Sequence, residues 1–171
     1  MQIRLAEWDR LKRLAGRTFS SSLHFSIATT NVDGSPHVTP IGSLILTQPG
    51  EAYYFEIFTS VLRENLERGS DVCVSGVVSS RSLWLSSLAR GRFATPPAFR
   101  LLGSAGPRRP SSVGERRRFE RKVRWLRVLR GYDTLWGDLG FVRELRFTSL
   151  EPVLLGRLTS GLWPTPDAAD R

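Results

Sequence analysis

The segment VDGSPHVTPIG, residues 32–42, limits the fold more than any other part of the sequence. Its Asp-Gly dipeptide favours a tight β-hairpin turn, and the run before it, LHFSIATT at residues 23–30, is rich in aromatic and β-branched residues. We therefore predict that residues 35–46 return antiparallel to residues 23–30. Pro40 lies inside the returning strand and has no N–H. We predict that the strand is unpaired at this point, facing a gap or a bulge.

Strand and helix signals along the rest of the chain predict a mainly β fold with flanking helices. Aromatic and β-branched runs predict six antiparallel strands, and helical spacing of apolar residues predicts three helices. The predicted strands are residues 23–30, 35–46, 52–58, 71–80, 98–106 and 145–158, and the predicted helices are residues 1–16, 60–68 and 114–130. Residues 82–97 are predicted to be an insertion, and residues 145–163 the closing strand and tail. A small barrel flanked by helices is the economical arrangement.

The length and composition favour one compact domain. A chain of 171 residues with 40% apolar residues can bury one substantial core, so we predict a single domain over residues 1–171. The sequence contains no run of about 18 apolar residues, and its N-terminal segment is charged throughout. We therefore predict no membrane span, no secretory signal and a cytoplasmic location.

The sequence carries few residues that could act as nucleophiles or metal ligands. Cys73 is the only cysteine, which excludes an intrachain disulfide and a cysteine-rich metal site. The two histidines, His24 and His37, have no spacing typical of a hydrolase or a metal centre. We predict no metal site, and we assign no catalytic residue from the sequence.

The net charge of +9 is concentrated in one segment. Residues 107–131 contain ten basic and two acidic residues, and therefore carry +8 of this charge. The predicted helix 114–130 within this segment has three interpretations. Its arginines can form a solvated face whose stems pack on the protein. They can instead bind a cofactor or substrate with several carboxylates or phosphates, or form a patch for nucleic acid, an acidic partner or a membrane surface.

Two longer runs resemble a known family. The runs are FSIATTNVDGSPHVTPIGSLIL and YYFEIFTSVLRENLERGSDVCVSGVV, and they resemble the FMN-binding split barrel family related to pyridoxamine 5'-phosphate oxidase. The resemblance covers residues 23–78 well and residues 98–163 more loosely. It implies a six-stranded antiparallel split β-barrel that forms a homodimer, with a flavin in each of two clefts at the dimer interface.

The resemblance also implies which residues hold the cofactor. The flavin ring is expected along the second strand, and the phosphate at the turn that opens the short helix. The C-terminal tail is expected to bring a tryptophan near the ring edge. The implied ring contacts are His37, Val38, Thr39 and Pro40, the implied phosphate contacts are Thr59, Ser60 and Arg63, and the implied tail residue is Trp163.

The physical chemistry of the short helix agrees with this assignment but leaves an alternative. A helix that begins at Thr59 and Ser60 offers unpaired N–H groups and hydroxyls to an anion, and Arg63 adds a positive charge. The alternative is an ordinary helix cap followed by a solvated arginine. The sequence departs from the family at Leu62, where a basic residue is common, and at Thr39, where the oxidase has arginine. We therefore do not predict oxidation of pyridoxamine phosphate.

The resemblance thus implies a flavin-dependent oxidoreductase that uses FMN and an undetermined small-molecule substrate. In such an enzyme the cofactor supplies the chemistry, and His37 has at most an accessory role as a proton donor. A deazaflavin-dependent reductase or a heme-binding relative is the first alternative, because relatives of this barrel bind those cofactors. The second alternative is a cofactor-free protein that binds an acidic partner or nucleic acid through helix 114–130.

Overall fold

The computed structural model describes residues 3–163; residues 1–2 and 164–171 of the predicted domain lie outside the described range. The first helix, α1 (Leu5–Ser22), is longer than the predicted helix 1–16. Its apolar face continues past Gly16 to Phe19, which is buried, and so the helix has a packing reason to continue. It ends where Leu23 adopts a left-handed conformation with φ of 61°.

The sheet contains seven antiparallel strands in the spatial order β2-β1-β5-β6-β7-β4-β3. The prediction of six strands is wrong because the predicted strand 35–46 is divided at residues 42–44. The other five predicted strands are present with shifted ends. The strands are β1 (Phe25–Thr30), β2 (Pro36–Ile41), β3 (Ile45–Leu46), β4 (Glu51–Phe55), β5 (Val72–Val77), β6 (Ala98–Pro110) and β7 (Phe141–Pro152).

The two edge strands of the sheet, β2 and β3, are consecutive parts of one segment. Only residues 42–44 separate them, so the two edges of the sheet come together at this break. Ser43 replaces ladder hydrogen bonds there: its Oγ accepts from the Phe55 N–H at 3.0 Å and donates to the Phe55 carbonyl at 3.0 Å. The sheet therefore forms a barrel that is split between β2 and β3.

Pro40 lies in regular register, opposite Ser26 of β1. The pairing of β1 with β2 is continuous, so the predicted bulge at Pro40 is absent, whereas the predicted gap is present on the other, unpaired side of β2. The reason is the position of β2 at the sheet edge, where a residue without an N–H is tolerated on the unpaired side. The break in the barrel follows two residues later, at Gly42.

The helices differ from their predictions mainly in the second half of the chain. Helix α2 (Ser60–Glu67) agrees with the predicted helix 60–68, and the insertion 82–97 contains helix α3 (Arg81–Arg90). The predicted helix 114–130 is wrong in its second half, because α4 (Val113–Val123) gives way to a short 3-10 turn that buries Leu126. A further short helix, α5 (Tyr132–Trp136), leads into β7.

One contiguous core fills the barrel and the space under the helices. It joins the inner face of α1 to the strands through side chains that are almost completely buried: Trp8, Leu11, Phe25, Ile27, Tyr54, Phe55, Phe99, Leu101, Phe119 and Val142. Within residues 3–163, no helix has both the length and the apolar character that crossing a membrane requires.

Lys122, on α4, is a mostly buried cation at the edge of this core. Its Nζ donates to the Leu44 carbonyl at 3.2 Å and lies 4.1 Å from the centre of the Phe19 ring. Burial lowers the pKa of Lys122 to about 8, because the charged ammonium loses its hydration. The unfolded chain therefore binds more protons than the folded protein between about pH 8 and pH 10.5.

Because the unfolded chain binds more protons in this interval, the free energy of unfolding should rise with pH above about pH 8. We expect the free energy of unfolding to increase by roughly 3 kcal/mol across that interval, and Lys122→Met to remove the increase. Urea titrations at a series of pH values measure it. The only other lysine, Lys12, lies at the exposed side of α1, and Lys12→Met should keep the wild-type pH dependence. If the free energy of unfolding depended on pH equally in the two variants, Lys122 would not be the cause of the pH dependence.

Candidate functional site

A cavity of about 460 Å³ opens where the barrel is split. We call it the β2 cavity. One wall is the end of β2, a second is the segment between β4 and α2, and a third is α5. The main lining residues are Thr39, Pro40, Ile41, Gly42, Ser43, Phe55, Ile57, Phe58, Leu135 and Trp136. Gly42 allows close packing here: a Cβ at this position would lie 3.3 Å from the Leu23 carbonyl oxygen and 3.6 Å from Trp136 Nε1.

Backbone strain is concentrated around the β2 cavity. Among the described residues, two non-glycine residues have positive φ, Leu23 at 61° and Phe58 at 54°, and both line this cavity. A bulky L-residue in this region of φ costs about 1 kcal/mol or more and is typical of functional sites. Phe58 is also 79% exposed, so burial within the chain does not compensate for its conformation. The cavity therefore has the character of a ligand site.

The structure brings two of the four predicted ring contacts to this cavity. Thr39 and Pro40 line it, whereas His37 and Val38 lie further along the edge strand. His37 is linked to the cavity through a 2.7 Å hydrogen bond between its Nε2 and Thr39 Oγ1. Val38 is 60% exposed and faces away from the protein. Their roles as cofactor contacts remain predictions.

The start of α2 follows directly after the cavity-lining Phe58. Thr59 is the residue before the first turn, but its side chain makes no capping hydrogen bond. Thr59 is buried, and its Oγ1 has no hydrogen-bond partner among the described residues, whereas Ser60 is exposed. An unpaired buried hydroxyl costs about 1–3 kcal/mol unless a ligand or water satisfies it. The start of α2 therefore holds one buried hydroxyl whose hydrogen-bonding capacity is not used within the described chain.

Arg63 is not a solvated arginine. Its Nε lies 3.5 Å from Glu56 Oε2, and its side chain is 40% exposed. The N–H is not aligned with the carboxylate, so Arg63 Nε has no hydrogen-bond partner among the described residues. Leu62, where the family commonly has a basic residue, is completely buried in the core and cannot reach a ligand. Arg63 is thus the positive side chain that α2 itself offers to the site.

Glu56 lies at the centre of an arginine cluster that the sequence did not reveal. Its carboxylate is completely buried, 2.8 Å from Arg108 Nε and 3.0 Å from Arg143 Nη2, in addition to the contact with Arg63. Arg143 is also buried, and a second carboxylate, Glu67, lies 3.7 Å from its Nη2. With three guanidinium groups and two carboxylates, the Glu56 cluster carries one excess positive charge. The available signal was an acidic residue inside the apolar run YYFEIF, because a buried acid requires a cationic partner.

Trp163 lies elsewhere in the chain. It packs on α1, with the Arg10 guanidinium 5.4 Å from its ring centre, and Arg10 also donates to the Leu162 carbonyl. Trp163 does not line the β2 cavity of its own chain. Its predicted place near a flavin ring therefore requires the cavity of a partner chain, and it remains a prediction.

Comparison with known proteins identifies the fold. No family model matches the sequence, and no curated protein is similar to it. A solved FMN-binding protein from Syntrophomonas wolfei subsp. wolfei has a TM-score of 0.57 at 11% identity, with 86% of this chain and 88% of that chain covered. HupZ from Group A Streptococcus has a TM-score of 0.52 at 15% identity, with 85% and 94% covered. The chain has the split-barrel-like fold of these proteins.

A third solved structure, a heme binding protein from Mycobacterium smegmatis, has a TM-score of 0.51 at 16% identity. The match covers 88% of this chain and 55% of that chain. Split-barrel-like proteins with this architecture thus include an FMN-binding protein and a heme-binding protein. At these identities the likeness concerns the fold, and the choice of ligand depends on the side chains of this chain.

The side chains present fit a flat aromatic group with an anionic substituent. The β2 cavity is bordered by Pro40, Phe58 and Trp136, which offer apolar and aromatic surface to a ring. At the adjacent start of α2, Arg63 carries a positive charge that it shares with Glu56 at 3.5 Å, and the buried Thr59 Oγ1 has no hydrogen-bond partner among the described residues. A flavin mononucleotide combines these two features in one molecule.

Proposed function

We propose that this protein binds FMN in the β2 cavity and acts as an oxidoreductase on a small molecule. The observation that carries the proposal is the position of a strained, aromatic-lined cavity that ends at Phe58, directly before the helix start that carries Thr59, Ser60 and Arg63. The likeness in fold to an FMN-binding protein supports the same conclusion.

In this proposal the two parts of the site have separate tasks. Thr39 and Pro40 border the ring, and the exposed Phe58 covers it from the solvent side. Thr59, Ser60 and Arg63 hold the phosphate at the start of α2, where the helix dipole also favours an anion. His37 and Val38 lie on the free edge of β2, where a second copy of the chain would meet them. The proposed homodimer places this edge and the partner's tail, with its Trp163, at the same cleft.

The bound flavin would supply hydride transfer, and the chain would supply position, exclusion of water and control of protons. Two imidazoles lie at the proposed ring: His24 lines the β2 cavity, and His37 is linked to it through the hydrogen bond between its Nε2 and Thr39 Oγ1. His24 Nδ1 is already bonded to the Ser22 carbonyl at 2.7 Å, so His37 is the proposed accessory proton donor. The substrate would lie on the ring face that the chain leaves open.

The absorption spectrum of the purified protein tests the proposed cofactor. We expect flavin bands after purification or after reconstitution with FMN, and a mass in solution of two chains. A deazaflavin or heme spectrum would show that the protein binds that cofactor instead of FMN. A protein that stays colourless after incubation with all three would contradict the redox function and leave the cofactor-free binding protein as the interpretation.

One observation favours the heme alternative. Glu56 already provides Arg63 with an anionic partner inside the chain, which reduces the charge available to a phosphate. A heme needs no phosphate contact at α2, and the solved relative from Mycobacterium smegmatis is a heme binding protein. A titration with hemin alongside FMN therefore belongs to the same experiment.

Replacing Arg63 tests the phosphate end of the site. We expect Arg63→Ala to weaken FMN binding by about 1.5–3 kcal/mol, because a charge-assisted hydrogen bond is lost. Riboflavin lacks the phosphate and should bind the variant and the wild type equally well. Isothermal titration with both ligands measures the difference. Arg81, an exposed arginine in the first turn of α3, is the matched control, and Arg81→Ala should change neither affinity. An unchanged FMN affinity in Arg63→Ala would show that Arg63 does not contact the phosphate.

A further inference from the structure

The chain between α4 and α5 exposes three large apolar side chains within five residues. We call residues 124–130 the Trp125 turn. Trp125 is 62% exposed, Val128 87% and Leu129 55%. Single exposed apolar residues are ordinary on protein surfaces, but three on one turn form an apolar patch that another molecule can cover. The function proposed above does not use this patch, because no residue of the turn lines the β2 cavity.

The protein holds the Trp125 turn in a defined form. Leu126, in the middle of the turn, is buried, and Tyr132, just after it, is buried as well. Three backbone hydrogen bonds, each between residues three apart, run along residues 124–132. Side chains three residues apart in a 3-10 turn lie on the same side, which brings Trp125 and Val128 together. The turn thus fixes one apolar side chain in the core and presents the others to solvent.

Positive charge surrounds these exposed apolar side chains. Residues 121–132 contain five basic residues and no acidic residue. Four of the five are exposed arginines, and they are Arg121, Arg124, Arg127 and Arg130. Glu120 lies 3.9 Å from Arg127, whereas the other three arginines make no ion pair among the described residues. The patch therefore carries positive charge that the described part of the chain does not neutralise.

The combination of charge and apolar surface decides between the possible occupants. A second copy of the chain would bring the same positive charge against the patch, and repulsion opposes that contact. Nucleic acid would pair with the arginines and stack on Trp125, but it offers no apolar environment to the aliphatic Val128 and Leu129. An anionic lipid surface suits both features, because its headgroups pair with guanidinium groups and its acyl boundary takes up apolar side chains.

We propose that the Trp125 turn docks this protein on an anionic lipid surface. Trp125, Val128 and Leu129 enter the headgroup region, and the arginines around them pair with lipid phosphates. One short turn buries little apolar area, so the docking is reversible and sensitive to salt. The proposal does not rest on the redox function, because the turn and the β2 cavity share no residue.

Co-sedimentation of the full-length protein with lipid vesicles tests this surface. We expect binding to vesicles of equal parts phosphatidylcholine and phosphatidylglycerol, weakened by salt, and no binding to vesicles of phosphatidylcholine alone. Trp125→Ser should weaken binding about tenfold, because the largest inserted side chain is lost, and Arg124→Gln about fivefold. Leu85→Ser and Arg81→Gln, both at exposed positions of α3, are the matched controls and should bind as the wild type does.

Four results would overturn the assignment. Absence of binding to the anionic vesicles at low salt would reject the lipid surface, and wild-type binding by Trp125→Ser would reject the apolar contact. Tighter binding to a double-stranded oligonucleotide than to vesicles, lost in Trp125→Ser, would assign the turn to nucleic acid. A mass in solution that Trp125→Ser halves would assign it to a second copy of the chain. Since Trp125 is mostly exposed, the variant should keep the wild-type free energy of unfolding, and its loss of vesicle binding then reports the surface and not the fold.

Discussion

Replacement of Arg143 by methionine should lower the free energy of unfolding by about 3–5 kcal/mol. Both Arg143 and its partner Glu56 are buried, and Arg143 meets Glu56 Oε1 through both Nε and Nη2 at 3.0 Å. It also donates from Nη1 to the Gly106 carbonyl at 3.2 Å. Without Arg143, the Glu56 carboxylate remains buried with Arg108 and Arg63, neither of which is aligned for a hydrogen bond to it. Chemical denaturation of the variant and the wild type measures the loss.

Two further variants show whether the loss arises from the buried charge. The double variant Glu56→Gln with Arg143→Met should be less destabilised than Arg143→Met alone, because the unpaired carboxylate is no longer present. Arg146, on the same strand, is exposed and makes no ion pair among the described residues, so Arg146→Met should change stability by less than about 0.5 kcal/mol. If the double variant lost the sum of the two single effects, the coupling between Glu56 and Arg143 would be absent.

Replacement of Gly103 by alanine should cost about 3 kcal/mol, although alanine is only one methyl group larger. A Cβ on Gly103 would lie 2.0 Å from the Arg146 carbonyl oxygen and 2.8 Å from Phe147 Cα. These are backbone atoms of β7, which cannot rotate away as a side chain can. Gly103 lies at a register shift between β6 and β7, where the two backbones approach closely. The clash should therefore separate the longest pair of strands in the barrel.

Gly106, on the same strand, is the control for this prediction. A Cβ there would be 3.6 Å from Glu144 Cβ, which is an ordinary contact. Thermal and urea unfolding should place Gly106→Ala within about 0.5–1 kcal/mol of the wild type. Similar losses for the two variants would mean that glycine is needed along β6 for its flexibility and not for space at Gly103.

The features that could be predicted from the sequence are those set by neighbouring residues. The Asp-Gly turn and the runs beside it were sufficient for the pairing of β1 with β2, and Thr59 and Gly69 marked the short helix α2. The split between β2 and β3 could not be found in this way. It depends on Ser43 bonding to Phe55 and on Gly42 packing against Trp136, which are distant in the chain.

The same reason explains what was missed at the site. Glu56 and Arg143 are 87 residues apart, so no local pattern connects them, and Arg63 was assigned without its carboxylate partner. The helical spacing in residues 114–130 correctly predicted α4. After Val123 the chain forms a 3-10 turn that buries Leu126, and so the helix ends earlier than predicted. In contrast, the strand that carries Thr39 and Pro40 was predicted with the right partner, and both residues line the β2 cavity; their contact with a flavin ring stays a prediction.

The split of the barrel couples occupancy of the β2 cavity to the closure of the sheet. Residues 42–44 join its two edges, and the cavity takes its walls from β2, from the segment after β4 and from this connection. A ligand in the cavity contacts β2, this connection and the segment after β4, and its site is lost when these parts of the barrel separate. By thermodynamic linkage, such a ligand stabilises the closed barrel by RT ln(1 + [L]/Kd). The melting temperature then becomes a direct measure of what the cavity binds, even for a ligand with no colour and no known reaction.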